Sequence, residues 1–138
     1  RAEIMYESYA KAINIEAKTM ISMAKVKYIP AIITYTKKLA DSINSVKAAA
    51  ADADVTVQSD LLREVSGLLA KAQAAVKKLE KVTAEANTLA TEKEQAVFFK
   101  ETVFPAMAEL RAPIDTLEEL VEKDLWPVPT YGDLLFEI

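Results

Sequence analysis

The chain has 138 residues, 51% of them apolar and 28% charged, with a net charge of −4. That is enough for one domain with a core of its own, and the acidic balance argues against nucleic acid, which normally meets a basic face. There is no cysteine and no histidine, which excludes disulfides, thiolate chemistry, the commonest general base and the commonest transition-metal ligand together. A chain without cysteine fits a reducing compartment. No apolar run approaches the roughly 18 residues that would cross a bilayer. Charged residues break up the first thirty positions, so no signal peptide is expected. Arg1 already stands in a helical pattern, as expected of a piece of a longer protein.

From Ala2 to about Ala50 there is hardly a helix breaker. The second half carries one stripe: Ile32, Tyr35, Leu39, Ile43, Val46 and Ala50. In the first half Ile13, Ile15, Met20, Ile21, Met23, Val26 and Ile29 point to several sides, so more than one face is apolar. Pro30 removes a backbone hydrogen bond and should kink the helix or divide it. An unbroken helix over 2–50 would be about 70 Å long and would overhang a shorter neighbour. The overhang is either a docking surface or interhelical core. Asp54, Thr56 and Ser59 favour caps and turns, so the first turn falls there. Asp52 and Asp54 lack the glycine and closing glutamate of a calcium loop and read as capping residues.

A second helix is expected over 56–90. Leu61, Val65, Leu68, Ala72, Ala75, Leu79, Val82, Ala86 and Leu89 form a heptad seam, with Leu62, Leu69 and Val76 alongside. Gly67 falls off the seam; an interior glycine costs about 1 kcal/mol and either admits a close backbone or is merely tolerated. Lys77, Lys78, Glu80, Lys81 and Glu85 make a solvated outer face. Thr91 and Glu94 read as a capping box, which predicts a turn near 90 and a third helix over 92–123. Its seam is Val103, Met107, Leu110, Ile114, Leu117 and Val121, bent at Pro105 and Pro113. Phe98, Phe99 and Phe104 crowd its first half. The expected fold is therefore all-α: an antiparallel up-down bundle of three long helices, the first kinked or split at Pro30. An extended apolar C-terminal tail follows over 124–138. Such a tail needs cover, either its own bundle, which suits Trp126, or another domain, which suits the last five residues.

No constellation for catalysis stands out. The two glycines lie 65 positions apart, so there is no phosphate loop. Glu118, Glu119 and Glu122 lack the Glu-x-x-His partners of a di-metal bundle site, and no histidine activates a serine or threonine. No catalytic, cofactor-binding or metal-ligating residue is assigned. The candidate docking surface is Ile13, Ile15, Met20, Met23, Trp126, Tyr131, Leu134, Leu135 and Phe136.

The tail from Leu125 through Trp126-Pro127-Val128-Pro129-Thr130-Tyr131 to Phe136 resembles the end of type III glutamine synthetases, the long bacterial form. Three further segments resemble the same family in order: Ile13 to Met20, Tyr28 to Ile32 with Tyr35, and Met107 through Arg111 to Glu118. The resemblance implies a cytoplasmic parent enzyme that joins ammonia to glutamate with ATP and Mg or Mn, assembled as stacked homo-oligomeric rings. It also implies that this piece follows the catalytic domain, and that the residues binding metal, ATP and glutamate lie upstream. The expected partners are the catalytic domain of the same chain and neighbouring subunits, with no cofactor in this piece, no nucleic acid and no membrane. A free-standing interaction bundle that captures a partner helix is the alternative. A membrane-surface helix is disfavoured, because the apolar faces lack a lysine-rich border.

Overall fold

Between residues 2 and 66 there is no glycine and a single proline, and the backbone takes the helical course this permits. The computed structural model describes residues 2–129, apart from the side chain of Glu3. Helix α1 spans Ala2–Met23 and α2 spans Ile29–Ala49, joined by a π turn over Ala24–Tyr28. Helix α3 spans Thr56–Ala86. Helices α4 (Glu92–Phe98) and α5 (Phe104–Leu120) are joined by a second π turn over Phe99–Val103, and a 3-10 turn over Lys123–Leu125 follows. The described residues therefore form three helical rods and contain no strand.

The two π turns share a cause. Pro30 and Pro105 each stand at the second position of the helix after the turn. A proline has no N–H for the carbonyl four residues back, and its ring would strike that carbonyl. A wider turn just before the proline carries the carbonyl away from the ring. Ile29 N–H accordingly donates to Ala24 O, and Phe104 N–H to Phe99 O, both five residues back. The kink or split expected at Pro30 takes this form: Met23, Tyr28 and Ile29 all keep right-handed helical angles, so the first rod continues.

The rod ends are set by side chains. Asp54 Oδ1 accepts from Thr56 N (2.9 Å) and Thr56 Oγ1 (2.6 Å) ahead of α3. Those bonds hold the Asp54 carboxyl below its usual range. Helix α3 ends at Ala86, short of residue 90. The amide of Asn87 donates to Thr83 O and to Asn14 Oδ1, competing with the backbone for helical carbonyls. Thr91 Oγ1 accepts from Glu94 N at 3.1 Å and opens α4. The third rod stops at Leu120 rather than 123, where Val121 turns extended.

The core lies where the rods meet. From α3 come Val65, Ala72, Val76, Leu79, Val82 and Ala86, and from the third rod Phe99, Val103, Met107, Leu110, Ile114 and Leu117. The first rod presents Ala10, Ala17 and Ala24 at steps of seven, with Ile13 and Ile32. Alanines at that interval let helix axes approach closely, and the larger side chains of the third rod fill the space between. At the rim, Lys25 pairs with Glu80 (3.0 Å), Lys38 with Glu122 (2.6 Å) and Lys78 with Glu109 (2.8 Å). All three are exposed, and such pairs contribute about 0–1 kcal/mol each.

Gly67 is exposed, and a Cβ built there meets nothing within 4 Å. It admits no close backbone. Gly67→Ala should therefore stabilise the fold by up to about 1 kcal/mol, read as a raised urea midpoint at unchanged slope; a lower midpoint would contradict an open site.

Candidate functional site: a methionine-lined groove and an exposed apolar row

The wide turn at Ala24–Tyr28 sets the first rod against α5 along a shallow groove of about 240 Å³. Its walls are Met20, Met23, Ala24 and Tyr28 on one side, and Leu110, Arg111, Ile114 and Asp115 on the other. Unbranched methionine side chains adapt to irregular apolar surfaces. Among its polar lining residues, Arg111 has Nη2 3.8 Å from Met20 Sδ.

One lining residue of the groove, Tyr28, belongs to an aromatic pair. The Tyr28 and Trp126 rings have centroids 5.1 Å apart, tilted by 37°, within the range of favourable aromatic contacts. Trp126 is 7% exposed, and its Nε1 has no hydrogen-bond partner among the described residues. Burial, followed by the nearby charges of Glu118 and Asp115, raises the Tyr28 hydroxyl above its ordinary value of 10.0.

The residues expected to form a docking surface separate into three groups. Ile13 and Trp126 are taken up by the chain's own core and present no surface to a partner. Helix periodicity turns Ile13 inward beside Ala10 and Ala17, and the chain returns after Leu120 to lay Trp126 on Tyr28. Met20 and Met23 are half-buried in the groove, and Ile15 is 65% exposed. Tyr131, Leu134, Leu135 and Phe136 lie outside the described residues. The first residues of the expected extended tail form the 3-10 turn Lys123–Leu125 instead.

Ile15 belongs to a row that the sequence reading did not isolate. Ile4 stands eleven residues before it and Val26 eleven after, with Ile33 seven further on; they are 67%, 68% and 52% exposed. Eleven residues make three helical turns, so Ile4 and Ile15 share a face of α1; Val26 lies within the π turn and Ile33 beyond it in α2. That spacing was the available signal. A second exposed apolar cluster lies where Tyr6 and Tyr9 of α1 meet Val97 of α4.

Residues 1–47 match the family model described as the glutamine synthetase C-terminal domain. The chain is 34% identical to a type-3 glutamine synthetase of Dictyostelium discoideum, over 99% of its own length and 19% of the relative's. It is 27% identical to a glutamine synthetase of Bacteroides fragilis and 30% identical to one of Butyrivibrio fibrisolvens, again over essentially the whole chain. The chain matches the C-terminal region of type III glutamine synthetases. It spans about a fifth of the length of the curated relatives it matches, aligned to their C-terminal fifth.

Among the described residues no group of three acidic side chains could hold a metal ion, and no helix is long and apolar enough to cross a membrane.

Two measurements check the aromatic pair. Trp126→Ala should destabilise the chain by about 3–5 kcal/mol, the range for deleting a buried large aromatic, in urea unfolding; an unchanged midpoint would mean that the indole supports nothing. Because the folded Tyr28 hydroxyl titrates above 10.0, the folded state keeps its proton longer than the unfolded one. Its contribution is present below pH 10 and is lost as pH rises through the higher folded value. Tyr28→Phe should therefore flatten the alkaline fall in stability, measured as unfolding midpoint against pH.

Proposed function

We propose that this chain is the non-catalytic C-terminal accessory region of a glutamine synthetase, packing on the catalytic domain of the same protein and supporting its oligomer. The observation that carries this reading is the end-to-end match to the last fifth of three glutamine synthetases. The reaction, ATP-dependent joining of ammonia to glutamate, then belongs to the part of the protein upstream, and the compartment is the cytoplasm. The metal and the nucleotide belong upstream as well.

Within this reading the three rods run up, down and up as an antiparallel bundle. Four pairings support that course. Asn14 meets Asn87 while Lys25 meets Glu80, so positions rise along the first rod as they fall along the second. Lys38 meets Glu122 and Met20 meets Arg111, so the first and third rods run the same way.

The docking face is the exposed row of Ile4, Ile15, Val26 and Ile33 with the Tyr9 and Val97 cluster. Exposed aliphatic side chains spread along the first rod are what a further domain or subunit would cover. In the full-length enzyme, Ile15→Asp, Val26→Asp and Ile33→Asp together should lower the assembled mass in light scattering and the specific activity with it. All three sites are exposed, so the bundle should keep its helix content by circular dichroism. Unchanged mass and activity would sink the proposal.

A further inference from the structure

Two opposite charges on α5 line the methionine groove, and neither has an ion-pair partner among the described residues. Arg111 and Asp115 stand four positions apart, the interval at which opposite charges on a helix ordinarily meet. Lys37 and Asp41 do meet on α2, in the same order along the chain, at 2.7 Å. The Arg111 guanidinium turns instead to the first rod, where Nη2 lies 3.8 Å from Met20 Sδ, a weak acceptor. Asp115 acts on Tyr28, whose hydroxyl is raised first by burial and then by the charges of Glu118 and Asp115. A positive group beside Met20 and a negative group near Tyr28 thus rise from helix positions about 5–6 Å apart. The rest of the lining is apolar: Met23, Ala24, Leu110 and Ile114.

We propose that this groove binds a free α-amino acid with an aromatic side chain. Arg111 takes the α-carboxylate, Asp115 takes the α-ammonium, and the ring rests on Met20 and Met23. A guanidinium presents a planar fork of donors that matches a carboxylate, and the Asp115 carboxylate supplies the charge an ammonium needs. The size fits as well. An apolar cavity of about 150 Å³ holds benzene, and this groove offers about 240 Å³, room for a ring and the charged carbon that bears it. Methionine sulfur packs well on ring edges. An uncharged apolar molecule would use neither Arg111 nor Asp115. Within a polypeptide the amino and carboxyl groups of one residue are tied up as amides, so two opposite charges on one small apolar body mark a free amino acid. The site is made wholly of this chain's residues, so the inference stands whether or not the accessory role holds.

The test is calorimetric titration of L-phenylalanine into the full-length protein, unsubstituted and with Arg111→Gln or Asp115→Asn. Both side chains are exposed, so both variants should keep their helix content by circular dichroism. One L-phenylalanine should bind per chain, and about tenfold or more weakly in either variant, the loss of one hydrogen bond to a charged group. N-acetyl-L-phenylalanine keeps the ring and the carboxylate but has no ammonium. It should bind weakly to the unsubstituted protein, no more weakly to Asp115→Asn, and more weakly still to Arg111→Gln. Weakening of both ligands in Asp115→Asn would mean that Asp115 only supports the shape of the groove, and would overturn the assignment. Saturable binding that neither variant weakens would do the same, since the amino acid would then sit elsewhere in the longer protein. So would an absence of saturable binding in millimolar L-phenylalanine, the result expected where another segment, another subunit or a second copy fills the groove.

Discussion

Helix α3 has apolar side chains on two flanks, and covering both at once is the constraint from which the rest of the fold follows. Val65, Ala72, Val76, Leu79, Val82 and Ala86 are all buried, and one neighbouring helix is too narrow to cover so wide a stripe. Helices α2 and α5 lie on either side of it. Each rod beside α3 must carry its proline without breaking, because a break would uncover part of that stripe. The π turns before Pro30 and Pro105 achieve this by giving up local regularity and keeping the rod.

The same solution creates the groove. Widening the first rod at Ala24–Tyr28 shifts its side-chain register by part of a turn, so the face that α1 buries with Ala10, Ile13 and Ala17 differs from the one α2 buries with Ile32 and Leu39. Met20 and Met23 fall at the changeover, neither fully in the core nor free of it. Tyr28 ends the turn and receives Trp126. A backbone adjustment demanded by a proline thus places the aromatic pair and the methionines together. Wide helical turns often accompany functional positions in this way.

Much of the fold was legible in the residues. The α3 seam, the turn around Asp54 and the cap at Thr91 rest on local chemistry: apolar spacing, a side-chain acceptor and a free helix N-terminus. The site was less legible. Ile13 and Ile15 are equally apolar and two positions apart, yet one is buried and the other exposed. Two positions on a helix differ by about 200°, and several apolar faces in α1 left the inward one undecided until the neighbours were in place. Ile4 and Ile33 escaped notice, and Val26 was read only as one of several apolar faces, because an eleven-residue interval is sparse beside a heptad seam.

The sequence by itself determined that the chain is helical, where the second and third rods begin, and which family its ending resembles. It could do so because helix spacing, caps and a run such as Trp126-Pro127-Val128-Pro129 are written within a few neighbouring residues. Only the tertiary structure decided which apolar face of the first rod is inside, how the prolines are accommodated, and that Trp126 belongs to the core. Those outcomes depend on contacts between residues nearly a hundred positions apart, such as Tyr28 with Trp126. Spacing along one helix carries no information about which neighbour will arrive to cover it.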